Sequence, residues 1–227
     1  MVTRVSVELV SDKDLFLQRL PHKTSRAFLE VAGLSLLSRT SWYLAGGTAL
    51  ALQVGHRASV DLDFFTERPG FDETALERKL LATGKWQTSL REKGTLFGVF
   101  HGAKMSFIAY PFFHPGAQRC RYGNVTFLVP QDIAAMKIVA ISQRGRKRDF
   151  FDLYWYCINR EPLGTIIRRA IRQYPGQERN IHHILKSLVY FEDAEHDPMP
   201  QLFFKVSWQQ VKAFFRHEAP ALIQEFF

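Results

Sequence analysis

The chain has 227 residues, 46% of them apolar, and a net charge of +8. That length allows one large domain or two small ones, and the apolar share excludes general disorder. The charge points to an anionic partner, nucleic acid first, although solvated lysines or a nucleotide substrate account for it equally well. Cys120 and Cys157 are too few and too far apart for a disulfide framework or a zinc motif, so both are expected reduced. The start MVTRVSVELV lacks the charged end, apolar run and cleavage site of a signal peptide. No apolar run reaches membrane-spanning length, so a cytoplasmic protein without membrane contact is expected.

Residues 11–20 read as a short helix, capped by Ser11 or Asp12 and closed by Pro21. Residues 24–38 read as an amphipathic helix with Phe28, Val31, Ala32 and Ser35 toward the core. Next comes WYLAGGTALALQVGHRASVDLDFF, residues 42–65. Residues 42–44 suit a buried strand, and Gly46 and Gly47 end it without a side chain. Residues 48–54 give about two helical turns, which Gly55 stops as a C′ residue. Residues 60–65 form a second strand, whose alternation puts Asp61 and Asp63 on one face and Val60, Leu62 and Phe64 on the other.

Two carboxylates facing the same way are costly to bury without a cation between them. A hard divalent metal, Mg²⁺ or Mn²⁺, takes oxygen ligands and keeps positions open for water and substrate phosphate. A glycine pair opening a helix offers backbone N–H groups to an anion. Alone, the two aspartates read as a solvated strand face. With the glycine pair upstream, strand signals on both sides and Arg57 between, the pattern reads as a site for a nucleoside triphosphate and its metal.

Pro69-Gly70 marks a turn, and Asp72 caps a helix running to about Ala82, which Gly84 breaks. Residues 86–92, 95–101 and 104–110 are three strands at hairpin spacing. Residues 111–123 read as a loop and 125–129 as a further strand. Residues 130–143 are a helix with Pro130 in its first turn and Ile133, Met136, Ala140 and Ile141 toward the core. Lys137 is a cation in this apolar stretch, and residues of that kind most often snorkel to solvent. RGRKR, residues 144–148, is a basic loop, either solvated or in contact with a polyphosphate or RNA backbone. A helix follows over 149–158, where Asp149 serves as N-cap and Asp152, on the same face, favours the positive helix end. Helices are expected over 163–174, 180–189 and 208–218, with Pro220 ending the last and opening a short turn to the C-terminus. His182, His183 and His196 lack a metal motif, and Phe203, Phe204, Phe214 and Phe215 read as packing.

The glycine pair, thirteen residues and then DLDF resemble the motif of the polymerase-β-like nucleotidyltransferases. The fuller LAGGTAL…HRASVDLDFF, with DIAAMKIVAISQRGRKRDFFDLYW later, resembles the AbiEii toxin branch, found in bacterial toxin–antitoxin and phage-defence operons. The resemblance spans about residues 40 to 157. It implies an α+β fold: a nucleotidyltransferase core with a mixed sheet over residues 1–129, then a helical C-terminal region over 130–227 that completes a cleft. It implies metal-dependent transfer of a nucleotidyl group from an NTP to an RNA hydroxyl, tRNA among the candidates, or to a protein hydroxyl, with a separately encoded antitoxin as partner. Asp61 and Asp63 would hold the metal. Gly46, Gly47, Thr48, Arg57 and Ser59 would contact the nucleotide, with Lys137 on the triphosphate across the cleft and Asp149 and Asp152 in the site. A third acidic residue is usual on the strand read here as AKMSFIAYPF, and Ser106 stands there instead. Either Asp149 or Asp152 then substitutes for it, or the fold binds nucleotide or RNA without turnover. A phosphotransferase on a related fold is a weaker reading.

Overall fold

The computed structural model describes residues 5–176 and 180–226. The chain divides into two compact units, Met1–Val129 and Pro130–Phe227. The first unit runs β1 (Ser6–Leu9), α1 (His22–Gly33), β2 (Tyr43–Ala45), α2 (Gly46–Val54), β3 (Leu62–Thr66), α3 (Glu73–Leu81), β4 (Trp86–Glu92), β5 (Thr95–Phe100), β6 (Ala103–Ala109), β7 (Gln118–Tyr122) and β8 (Val125–Leu128). Its strands form one sheet in the order β1-β7-β8-β2-β3-β6-β5-β4. The sheet is mixed: β2–β3, β4–β5, β5–β6 and β7–β8 are antiparallel, and β1–β7, β2–β8 and β3–β6 are parallel.

The two faces of this sheet differ. Leu44, Leu62, Phe64, Phe107 and Phe127 point to a buried face, where Phe64 and Phe107 stack at 5.0 Å. Helix α1 covers part of it, with Phe28 stacked on Tyr122 at 5.5 Å. Helix α2 covers another part, where Gln53 receives the Cys120 thiol. The alternate residues, Tyr43, Asp63, Phe65, Ser106 and Ile108, occupy the other face.

The second unit is helical: α4 (Pro130–Arg144), α5 (Lys147–Asn159), α6 (Leu163–Gln173), α7 (Ile181–Ser187), α8 (Glu192–Glu195), α9 (Trp208–Ala221) and α10 (Ile223–Phe226). Its core is an aromatic cluster on α5, in which the Phe150 ring lies 5.2 Å from Phe191, 5.7 Å from Trp208 and 5.4 Å from Phe215. Phe204 and Phe214 pack on Tyr154, as expected of packing residues. Among the described residues no helix is long and apolar enough to cross a membrane. Both cysteines are free thiols, and burial raises the pKa of each.

Several local expectations fail for identifiable reasons. Residues 11–20 make two 3-10 turns, Asp12–Asp14 and Leu17–Arg19, instead of a helix, because the Asp14 carboxylate folds back to the Ser11 backbone N–H at 2.8 Å. Helix α1 stops at Gly33, and Ser35 is exposed. Residues 118–122, read as loop, form β7, with β1 parallel to it at the sheet edge. The alternation in QRCRY is masked by its two arginines, one of which, Arg119, is buried. Val60 lies before β3 begins and is 50% exposed, so it does not share the buried face. Pro220 sits inside α9, in its last turn, where a missing N–H removes a single backbone bond. The last position of the expected C-terminal turn, residue 227, lies outside the described residues.

Candidate active site

In the first unit, three strands bring the motif together. Ala45 of β2, Asp63 of β3 and Ser106 of β6 lie level in register. Helix α2 starts directly after Ala45, and Gly46 makes the turn with φ +71, a conformation glycine adopts without strain. A Cβ on Gly46 would lie 3.4 Å from Asp63 Oδ2. At Gly47 a Cβ would come within 2.2 Å of the Arg57 guanidinium and 3.2 Å of Ser59 Oγ. The glycine pair is therefore what lets a carboxylate and a buried guanidinium close on the first turn of a helix. Gly55 ends that helix with φ +62, its N–H bonded to Ala51 O at 2.9 Å.

Thr48 is buried, and its hydroxyl donates to the Asp61 carbonyl and shares a hydrogen bond with Ser59 Oγ at 2.9 Å. Its side chain thus ties the segment before β3 to the helix start. Thr48 can reach a phosphate through its backbone, while its hydroxyl positions Asp61. Asp61 itself precedes β3 and is half-buried, as is Asp63. Arg57 is buried and donates to the Ala58 carbonyl at 2.8 Å.

Ser106 donates to Asp63 Oδ1 at 2.7 Å. This is the position where the resemblance anticipates a carboxylate, and the hydroxyl faces Asp63 as that carboxylate would. Among the described residues no group of three or more His, Cys, Asp or Glu side chains converges as a ready-made metal site. The donor set of Asp61 and Asp63 fits a hard cation that completes its shell with water and substrate phosphate oxygens.

In the second unit, α4 and α5 form a tight helical hairpin. Gly145, with φ +47, bonds its N–H to Ile141 O at 3.0 Å and ends α4, and α5 begins at Lys147. The hairpin folds Lys137 against Asp149 and Asp152. Lys137 is 5% exposed and both aspartates are wholly buried. The Lys137 Nζ donates to Asp149 Oδ1 and lies 2.6 Å from Asp152 Oδ2. The snorkelling reading of Lys137 is overturned: a solvent-seeking amine would not be enclosed between two carboxylates. Asp149 is not the N-cap either, since that position is Arg146.

Sequence reasoning missed Arg144, whose Nε lies 3.4 Å from Asp149 Oδ2. The basic run 144–148 is also divided differently from the expected loop. Lys147 is buried, bonds the Glu195 and Asp197 carbonyls and lies 5.6 Å from the Trp208 ring, so it is a packing cation. Its signal was the apolar helix that follows it, which makes position 147 a first-turn residue.

The model of the family described as nucleotidyl transferase AbiEii toxin, type IV toxin–antitoxin system, matches residues 35–123 and 121–226. An uncharacterized protein of Aquifex aeolicus strain VF5 is 33% identical over 215 residues, covering 92% of this chain and all of that protein. Two solved structures share the fold. MenT4, a nucleotidyltransferase toxin of Mycobacterium tuberculosis H37Rv, matches with TM-score 0.55 at 16% identity, over 91% of this chain and 89% of that one. JHP933 of Helicobacter pylori matches with TM-score 0.52 at 16% identity, over 91% and 94%. The family model accounts for both the glycine–DxD segment and the Lys137 hairpin, and the chain belongs to the AbiEii family of nucleotidyl transferase toxins.

Proposed function

We propose that the protein transfers a nucleotidyl group from an NTP to a hydroxyl of RNA, tRNA being the first acceptor to test, and that a separately encoded antitoxin counters it in the cytoplasm of a prokaryote. The observation that carries this reading is the placement of Asp63 beside Gly46 at the start of α2, where a Cβ on Gly46 would lie 3.4 Å from Asp63 Oδ2. It sets backbone N–H groups suited to a phosphate beside a carboxylate suited to a hard cation. Asp61 and Asp63 would hold Mg²⁺ or Mn²⁺, which when bound neutralises phosphate charge.

The remaining roles belong to the chain. The first turn of α2 receives phosphate oxygens through the Gly47 and Thr48 backbone. Arg57, enclosed beside Gly47 and Ser59, offsets the charge that accumulates on the leaving pyrophosphate. The acceptor hydroxyl oxygen bonds the α-phosphorus, the bond to the β-phosphate bridging oxygen breaks, and the hydroxyl proton passes to water.

The test is incubation with each α-labelled NTP, Mg²⁺ and bulk tRNA. Wild type is expected to label RNA and release pyrophosphate, and Asp63→Asn to lose at least a hundredfold in rate with an unchanged circular dichroism spectrum, roughly the loss that follows removal of one preorganised electrostatic group. Full activity in folded Asp63→Asn refutes the assignment. Transfer of the γ-phosphate instead, followed with γ-labelled NTP, would make the protein a phosphotransferase.

A further inference from the structure

The face of the sheet that bears Asp63 continues, away from the glycine turn, as a row of aromatic rings. Asp63 pairs with Ala45 and Phe65 with Tyr43, so a step from Asp63 to Phe65 is a step away from Gly46. At about 3.3 Å per residue, Phe65 stands about 7 Å along the strand from Asp63. From there the rings touch in sequence. Tyr43 and Phe65 lie 6.3 Å apart, Phe65 and Tyr110 5.6 Å, and Tyr110 and Phe112 5.8 Å. The inner end is anchored: Tyr43 is buried, with the buried Arg119 guanidinium 5.8 Å from its ring. The outer end is open. Phe65 and Tyr110 are half-buried, and Phe112 is 68% exposed.

A row of rings that only served the core would be covered at both ends. This one emerges into solvent, in a chain with a net charge of +8. A contiguous row of rings that reaches the surface is what an unpaired polynucleotide uses: each base has a π-face, and stacking tolerates any sequence. Within a duplex the bases are stacked on one another and their faces are closed to such a row. The spacing also suits one strand. About 7 Å corresponds to two stacked steps of roughly 3.4 Å each, so a base on Phe65 would leave a terminal hydroxyl within reach of Asp63. The phosphate-binding turn lies on the other side of Asp63, which assigns the row to the acceptor and not to the triphosphate.

We propose that Phe65, Tyr110 and Phe112 form a stacking platform for the unpaired end of a single-stranded RNA acceptor. The proposal rests on the nucleotidyl-transfer reading for its purpose, but its test does not use catalysis. The binding of a fluorescein-labelled eight-nucleotide single-stranded RNA to the full chain is measured by anisotropy, beside a blunt duplex of the same sequence. Phe112 is exposed, so Phe112→Ala is expected to fold normally. It should weaken single-strand binding roughly five- to hundredfold and leave duplex binding unchanged. Phe112→Trp should retain binding and show quenching of the new indole by the oligonucleotide. The proposal is overturned if Phe112→Ala binds the single strand as tightly as wild type does, or if wild type does not bind it. It is also overturned if the variant loses an antitoxin protein and keeps RNA, or if it raises only the KM for NTP. Loss of labelling activity in Asp63→Asn with intact, Phe112-dependent RNA binding would support both readings. Phe112-dependent binding in a protein that labels nothing would support this one alone.

Discussion

Asp63 is a carboxylate with one oxygen answered by a hydroxyl and the other set against a glycine. A serine hydroxyl is neutral and donates one hydrogen bond, so it steadies Asp63 without adding negative charge. Ser106→Asp would place a second carboxylate where the hydroxyl now lies 2.7 Å from Asp63 Oδ1. Like charges at that distance cannot both ionise freely, which destabilises the variant unless a cation enters. The expected outcome is a melting temperature below wild type in chelator and recovery on adding Mg²⁺, with nucleotidyl transfer unchanged or raised. Differential scanning fluorimetry with and without Mg²⁺ decides it. A variant indifferent to Mg²⁺ would show that the Ser106 position does not face the cation. Substitution of this acid by Asp149 or Asp152 is a less economical solution than it looked from the sequence, because both carboxylates are buried against Lys137.

The α4–α5 hairpin encloses Lys137 with Asp149 and Asp152, and Arg144 lies beside Asp149 at its edge. Taking the lysine out of such a cluster leaves two wholly buried carboxylates without the amine that joins them. Lys137→Met, close in length and apolar, should therefore cost about 3–5 kcal/mol in unfolding free energy, the usual penalty for breaking a buried ion pair. Urea unfolding followed by circular dichroism measures it, and a loss under 1 kcal/mol would mean that the cluster admits water. The hairpin also shows what the sequence allowed to be read. Both helices were legible from their apolar periodicity and from Pro130, and β4 to β6 from alternation between glycine turns. The partners of Lys137 were not, because burial of a lysine depends on what the turn at Gly145 folds against it. Strand β7 was hidden by arginines at 119 and 121, and β1 by having no local partner. The rings of the platform were visible one by one, yet their contiguity is a property of register: Phe65 and Tyr110 are neighbours because β3 and β6 pair in parallel.

At the scale of the whole molecule, thirty lysines and arginines stand against twenty-two aspartates and glutamates. Binding of a single-stranded polyanion to such a surface releases counterions, with a log–log salt slope of about −0.7 for each phosphate neutralised. RNA affinity should fall steadily as salt rises from about 50 to 200 mM, with a slope of at least about −1.4 if two phosphates are met. Stacking releases no counterion, so Phe112→Ala should shift the whole line down without changing its slope. A changed slope would mean that Phe112 acts by placing a charge. The same two units carry different kinds of chemistry. The sheet unit holds Asp61, Asp63, the glycine turn and the rings, and the helical unit holds Lys137 with Asp149 and Asp152.

The parallel pairing of Ser6 with Gln118 has a consequence for the growing chain. Strands β2 to β6, which carry the DxD motif and Ser106, are contiguous in sequence and can pair as soon as they leave the ribosome. Strand β1 emerges first but can take its place only after β7, roughly six to twenty seconds later at ordinary synthesis rates of about 5–20 residues per second. Through that interval Val7 and Leu9 remain in unpaired chain, and they stay exposed after docking. The strands that hold Asp63 and Ser106 are thus assembled early, and the sheet edge is closed later by a segment translated before them.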